Sequence, residues 1–252
     1  MFDLIRTRLA QRRQPPRFPE GEVSLPERFR GRPELSTDAA AAGQGEPPAP
    51  APSGLLRAGT RELPVLDLGA CLFSPEEAME APGCRVRFTP DYRMASSTRG
   101  GLVTPDGAVE PVKALDERMR RLFGRSLRLR SVSAGSCNGC EAELVALGNV
   151  VFDMARFGIQ FVASPRHADG LVITGAVSVN MRGALERTYA AVGEPRLVIA
   201  VGACAASGGP FAGSPEVGDG VPKSIPVDLW IPGCPPHPFT ILDGMLRLLG
   251  RL

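Results

Sequence analysis

From residue 126 onward the chain alternates short apolar runs with longer stretches in which apolar residues recur every three or four positions. Ser126–Ser133 (SLRLRSVS) alternates strictly, which predicts a strand with one buried face. Gly170–Thr174 (GLVIT), Arg196–Val201 (RLVIAV) and Val227–Ile231 (VDLWI) are short and mostly apolar, as strands buried on both faces are, and Ile159–Ala163 is a further short strand. Between them, Cys140–Phe157, Val179–Val192 and Pro238–Leu249 have helical spacing, and Val112–Phe123 reads as an amphipathic helix ahead of the first strand. Strands alternating with helices predict a parallel α/β sheet with right-handed crossovers.

The rhythm changes near residue 112. Two parts are expected, 1–112 and 113–252, and a length of 252 residues suits one large or two small domains. The first part is rich in Pro and Ala. Asp38–Ser53 (DAAAAGQGEPPAPAPS) is low-complexity and reads as a flexible, partly polyproline stretch. Glu62–Asp67 and Arg85–Thr89 are candidate strands, and Pro75–Met79 a helical turn. Met1–Gln14 carries charges throughout and lacks the apolar core of a secretory signal. It reads as a short amphipathic helix with Phe2, Ile5 and Leu9 on one side, suited to a partner subunit or a membrane surface, the partner being preferred. Leu197–Pro215 has no charge over 19 residues, but its Gly202, Gly208, Gly209, Pro210 and Gly213 argue against a spanning helix.

A net charge of +2 gives no reason to expect nucleic acid. Lys113–Arg130 holds seven basic residues and two acids, which reads as a solvated or subunit-facing surface. The composition, 43% apolar and 22% charged, is that of an ordinary globular protein.

The candidate chemistry lies in the cysteines, of which there are six. Without a secretory signal, metal binding or redox chemistry is the better expectation than disulfides. The strand at 126–133 leads to Cys137 and Cys140, that at 196–201 to Cys204, and that at 227–231 to Cys234. The carboxyl ends of parallel strands share one edge of the sheet, so four thiols distant in sequence can converge there. The loops are rich in glycine (Gly135, Gly139, Gly202, Gly208, Gly209, Gly233), which lets the backbone turn tightly around a group. Cys140 opens a predicted helix, whose positive end favours a thiolate, and Pro235 follows Cys234 as a proline often follows a cluster cysteine. An iron–sulfur cluster is the leading reading. A four-cysteine zinc site is the alternative, and it usually comes as two close pairs, whereas only one pair here is close. Cys71 and Cys84 read as small buried apolar residues.

Four segments together resemble one family: SCNGCE at 136–141, ASPRHAD at 163–169, GACAASGG at 202–209 and IPGCPP at 231–236. They are similar to the small subunit of membrane-bound, energy-converting nickel–iron hydrogenases, including that of formate hydrogenlyase, and to the related complex I component that carries the terminal cluster. The resemblance covers roughly residues 126–252. It implies a flavodoxin-like fold and one [4Fe-4S] cluster on Cys137, Cys140, Cys204 and Cys234. It implies a separate large subunit holding nickel and iron, a ferredoxin-like electron-donor subunit and membrane subunits. It places the chain on the cytoplasmic side of the membrane, peripheral and attached through partners, with no activity from the isolated chain. Complex I members have two adjacent cysteines at the first position, whereas Cys137-Asn-Gly-Cys140 looks like the hydrogenase branch. Glu141 reads as a carboxylate at a helix start, with cluster tuning or proton relay as its second role. His167 reads as a structural or interface residue, with proton coupling as the alternative. His237 and Trp230 read as packing residues near the cluster loop.

The N-terminal part departs from a pattern it resembles. DLGACLF at 67–73 and RFTPDYR at 87–93 look like a two-cluster ferredoxin module, which uses Cys-x₂-Cys-x₂-Cys-x₃-Cys-Pro. Counted from Cys71 the positions read Cys71, Ser74, Glu77, Ala81 and Pro82, so only the first cysteine and the proline remain. A cluster-free ferredoxin-like remnant is expected. Three further functions stay open: an acceptor-reducing complex without nickel, a zinc-stabilised interaction module, and a flavin binder suggested by the fold alone.

Overall fold

The structure is a computed structural model, and it describes residues 2–11, 16–36, 54–58, 64–77, 80–81 and 84–252. The low-complexity stretch at 38–53 lies outside these residues, as do Glu62, Leu63 and Met79. Among its described residues the N-terminal part has one α-helix, α1 (Phe2–Gln11), and six short strands: β1 (Pro33–Ser36), β2 (Leu56–Ala58), β3 (Pro64–Asp67), β4 (Glu80–Ala81), β5 (Cys84–Phe88) and β6 (Val103–Thr104). They pair antiparallel in two small sheets, β1-β5-β4 and β2-β3-β6. Pro75–Glu77 forms a single 3₁₀ turn, in keeping with the turn expected from Pro75. The remainder contains α2 (Glu117–Phe123), β7 (Leu127–Ser133), α3 (Gly139–Ala146), β8 (Ile159–Phe161), β9 (Gly170–Thr174), α4 (Val179–Ala191), β10 (Leu197–Val201), α5 (Ala203–Ser207), β11 (Leu229–Ile231) and α6 (Pro238–Leu248).

The large sheet is parallel throughout, in the order β11-β10-β9-β7-β8. Counted by appearance this is 2-1-3-4-5, the flavodoxin-like order, with its switch point between β7 and β9. Every residue of β9 and β10 is buried, because helices cover both faces. Leu127, Leu129, Val172, Ile199, Val201 and Leu229 point to one core with Phe239, Ile241, Leu242 and Met245 of α6. The alternate residues Leu171, Ile173 and Val198 point to the other, against Leu185 of α4. Burial of each Leu or Ile in these layers contributes about 1.5–3 kcal/mol.

Two helices are shorter than their apolar spacing predicts. The expected helix at 140–157 stops at Ala146, because Asn149 Oδ1 accepts the N–H groups of Val151 (2.9 Å) and Phe152 (3.1 Å) and folds a turn instead. That at 112–123 begins only at Glu117, where Asp116 caps it by accepting from Met119 N at 2.8 Å. Among the described residues no helix is long and apolar enough to cross a membrane; the uncharged stretch at 197–215 becomes β10, α5 and a following 3₁₀ turn.

The N-terminal part and the large sheet meet through shared packing rather than across a linker. Phe18 is buried among Tyr92, Phe157 and Phe239, and Arg156 donates to the carbonyls of Pro16 (3.1 Å) and Phe18 (3.2 Å). The smaller N-terminal core, with Leu66, Leu68, Cys71, Phe73 and Met94, is closed by Trp230 of β11. Ser96 and Trp230 exchange backbone hydrogen bonds of 3.0 and 2.8 Å. Asp67, fully buried, grips Arg99 through two bonds of 2.7 and 2.8 Å and also pairs with Arg57, while Arg99 Nε donates to Ala206 O at 2.8 Å. One carboxylate thus ties β3 to the helix α5 of the other unit.

Replacing Asp67 by Ala leaves Arg99 half-buried without its counter-charge, a change that typically costs about 3–5 kcal/mol. Urea unfolding followed by circular dichroism should record a loss of about 3 kcal/mol, and a loss under ~0.5 kcal/mol would show that the pair contributes nothing.

Candidate metal centre

The registers of the large sheet place its functional loops. Ser133 pairs with Thr174, Thr174 with Val201, and Val201 with Ile231, so these four residues form one row across the carboxyl edge. Cys204 lies three residues beyond Val201, Cys234 three beyond Ile231 and Cys137 four beyond Ser133. The loops are then laced together. Gly202 N donates to Ile231 O and Ala203 N to Gly233 O, both at 2.8 Å, while Ala176 N donates to Gly135 O at 3.1 Å and Ser178 N to Ala134 O at 2.9 Å.

The structure brings all four predicted cysteines to this edge. Cys140 and Cys204 are buried as the second residues of α3 and α5, Cys234 is half-buried and Cys137 is exposed. Burial comes first in raising the Cys140 thiol, followed by Cys204, Glu141, Cys234 and Cys137. Cys204 is pushed up to about 11 by burial, then by Cys234 and Cys137; Cys234 rises through burial, then Cys137 and Glu77. Every pair among the four sulfurs therefore interacts. As bare thiols Cys140, Cys204 and Cys234 hold their protons; a group of high positive charge reverses that preference and releases them.

Two glycines shape the space. A Cβ on Gly202 would stand 2.5 Å from Cys140 Sγ, and one on Gly209 would stand 2.9 Å from Cys204 Sγ. Gly202 also has φ 91°, which side chains disfavour. The Cys234 loop closes the ring: a Cβ on Gly139 would touch both Cys137 Sγ (3.5 Å) and Pro235 Cγ (3.6 Å). A glycine-walled pocket of four mutually interacting sulfurs fits an iron–sulfur cluster. Among the described residues no three His, Cys, Asp or Glu side chains close on a single metal ion.

Glu141 braces the first loop. Its Oε1 accepts from Ser136 Oγ and Thr174 Oγ1, both at 2.6 Å, joining the residue before Cys137 to the end of β9. Burial opposes its charge, and the hydroxyls of Ser133, Ser136 and Thr174 outweigh it, holding the carboxyl below its usual range. Its Oε2 is buried and finds no donor among the described residues. His167 is not brought to this edge. It is exposed in a 3₁₀ turn at the opposite end of the sheet, where neighbouring Asp169 N donates to Arg128 O at the start of β7 (2.7 Å). The reason is topological: the segment after β8 has to cross back to the amino edge before β9 can start parallel. His237 caps α6, accepting from Phe239 N at 3.2 Å, and packs among Phe29, Phe152 and Phe239, where burial lowers its pKa. Ser136, Thr174 and the steric part of Gly202 and Gly209 are not apparent from the residues alone; the glycine-rich loops are the available signal.

A flavodoxin-like sheet that gathers four cysteine thiols on its carboxyl edge is the build of a subunit of an oxidoreductase complex. The chain belongs to the family described as NADH ubiquinone oxidoreductase, 20 Kd subunit, which matches residues 137–248. This family binds an iron–sulfur cluster. The chain is 41% identical over 143 residues to the "Probable membrane-bound hydrogenase subunit mbhJ" of Pyrococcus furiosus, covering 56% of this chain and 86% of that one. It is 41% identical over 152 residues to formate hydrogenlyase subunit 7 of Escherichia coli, 60% of each chain. It is 48% identical over 114 residues to the B subunit of NADH-quinone oxidoreductase from Heliobacterium modesticaldum, covering 45% of this chain and 65% of that one.

Two outcomes are expected. Gly202→Ala should lower cluster affinity about 10–100-fold while the circular dichroism of the sheet is kept; full iron content would refute the steric account. In the iron-free chain, alkylation of Cys204 should quicken about tenfold per pH unit from pH 7 to 10, since a raised pKa leaves little thiolate at neutral pH. Mass spectrometry of modified peptides reads this directly, and a plateau below pH 9 would contradict it.

Proposed function

We propose that this chain is an electron-transfer subunit carrying one [4Fe-4S] cluster on Cys137, Cys140, Cys204 and Cys234, next to the nickel–iron large subunit of a membrane-bound hydrogenase complex. The observation that carries the reading is the convergence of four thiols, all pairs interacting, beside glycines at which a Cβ would strike the cysteine sulfurs. A cluster so held supplies a one-electron carrier. The chain's own residues do the rest. The thiolates of Cys140 and Cys204 bind from helix N-termini, whose dipoles favour negative sulfur. Glu141 fixes the Cys137 loop to the end of β9. Buried Cys140 and Cys204 keep water from the inner side, and exposed Cys137 marks the side through which a partner exchanges electrons. Toward the end of α3, Val145 is 78% exposed, with Val150 and Val151 exposed just beyond, an apolar surface suited to the large subunit. Structural zinc sites usually come as two close cysteine pairs, and here only Cys137 and Cys140 are close in sequence, which favours a multi-iron group over a single zinc ion.

Electrons reach this cluster from a ferredoxin-like subunit and leave to the large subunit, or run in reverse. The chain sits peripherally on the cytoplasmic face of the membrane, attached through membrane subunits of the complex, as suits a chain with no spanning helix among the described residues. A second reading, a complex I-like assembly that reduces a quinone or another acceptor without nickel, draws support from the 48% identity to the NADH-quinone oxidoreductase chain. The spacing Cys137-Asn-Gly-Cys140 favours the hydrogenase reading.

Metal analysis and low-temperature EPR of the anaerobically purified complex decide between them. About four irons in this subunit with nickel in its partner is the expected result; iron without nickel selects the second reading, and zinc without iron overturns both. Ser at any of Cys137, Cys140, Cys204 or Cys234 should abolish or convert the signal, whereas Cys71→Ser should leave the iron content unchanged.

A further inference from the structure

The N-terminal unit brings a second pair of reactive side chains toward the sulfur site. Cys71 is fully buried, and Glu77 is 3% exposed. Glu77 gathers three donors: Leu72 N to Oε1 at 3.0 Å, Ser74 N to Oε2 at 2.9 Å, and the Cys71 thiol to Oε2 at 3.4 Å. Phe73 N in turn donates to Cys71 Sγ at 3.3 Å. All these contacts treat Glu77 as an acceptor, the hydrogen-bond set of a carboxylate.

The turn around Glu77 is held against its own preference. Phe73 has φ 55°, a conformation that bulky residues avoid, and it is fixed there by its buried ring and by Arg30 Nε donating to its carbonyl. The unit that holds this turn is docked onto the strand leading to Cys234. Trp230 closes its core, and Ser96 pairs with Trp230. Arg99 latches it to α5, the helix that carries Cys204. Cys71 lies in the core that Trp230 closes, four residues before Cys234, and the electrostatic coupling of Glu77 and Cys71 to Cys234 agrees with that placement. Burial and then Glu77 push the Cys71 thiol up, so it keeps its proton and serves as a donor to Glu77 Oε2.

We propose that Glu77 is a fixed negative charge placed by the N-terminal unit on the Cys234 side of the site, and that it lowers the reduction potential of the cluster. The inference rests on the electron-carrier reading above. Reduction adds one electron and no proton to the site. A carboxylate nearby, in a region from which water is excluded, disfavours that added charge. A unit that contributes no ligand thereby gains a role in the redox chemistry: it biases the carrier toward the low potentials at which protons are reduced.

The test is an EPR-monitored redox titration of the anaerobically purified complex carrying wild-type chain, Glu77→Gln, Glu77→Asp or Glu76→Gln. Glu77→Gln should move the midpoint upward by about tenfold in the reduction equilibrium, ~59 mV for a one-electron step. Glu77→Asp keeps the charge and should stay near wild type, as should Glu76→Gln, which removes an exposed neighbouring charge. An unchanged midpoint in Glu77→Gln with full iron overturns the inference. So do equal shifts in Glu77→Gln and Glu77→Asp, which would reflect loop geometry, and loss of iron from both, which would mark a part in assembly alone. A wild-type complex without any cluster signal overturns the electron-carrier reading itself, and this inference with it.

Discussion

The site depends on the hydrogen-bond register of one parallel sheet. Because Ser133, Thr174, Val201 and Ile231 stand in a row, the loops after β7, β10 and β11 start level with one another, and their cysteines arrive at one height. A slip of one residue in any ladder would move a loop by about 3.3 Å and turn its strand's buried face outward. β9 and β10 are buried along their whole length, so a slip there would disrupt both core layers at once. Ligand geometry and core packing are therefore enforced by the same registers.

The pocket that results is defined as much by missing atoms as by sulfur. Gly202 and Gly209 sit where any side chain would strike Cys140 or Cys204. Glu141 does the complementary work from outside, joining the Cys137 loop to the neighbouring strand through two hydroxyls. One oxygen of that carboxylate forms the brace, and the other lies buried without a donor among the described residues.

Much of this is legible in the residues. The apolar run Gly170–Thr174 is a strand to the residue, because full burial on both faces writes itself as an unbroken apolar stretch. The helix after Cys140 reads too long, since Leu144, Leu147 and Phe152 continue the helical period across a turn that the Asn149 side chain imposes. Helix α5 is invisible in the sequence, being five small residues with no period to detect. The convergence of the cysteines follows from strand ends alone. The steric part of the glycines does not, because it involves sulfurs more than sixty residues away or across a turn. The Asp67–Arg99 pair, 32 residues apart, leaves no local trace either, and the placement of His167 requires knowing which edge of the sheet its turn occupies.

The docking of the N-terminal core on Trp230 has a bearing on the order in which the chain can fold as it is made. Its antiparallel strands leave the ribosome first, yet the indole that closes their core and the carbonyl of Ala206 that receives Arg99 come more than a hundred residues later. Until then Leu66, Leu68 and Phe73 lack one wall of their burial, and Arg99 one of its acceptors. The earlier unit thus waits for the later one, and by the time Glu77 is locked in place the loops that carry Cys137, Cys140 and Cys204 have already been translated.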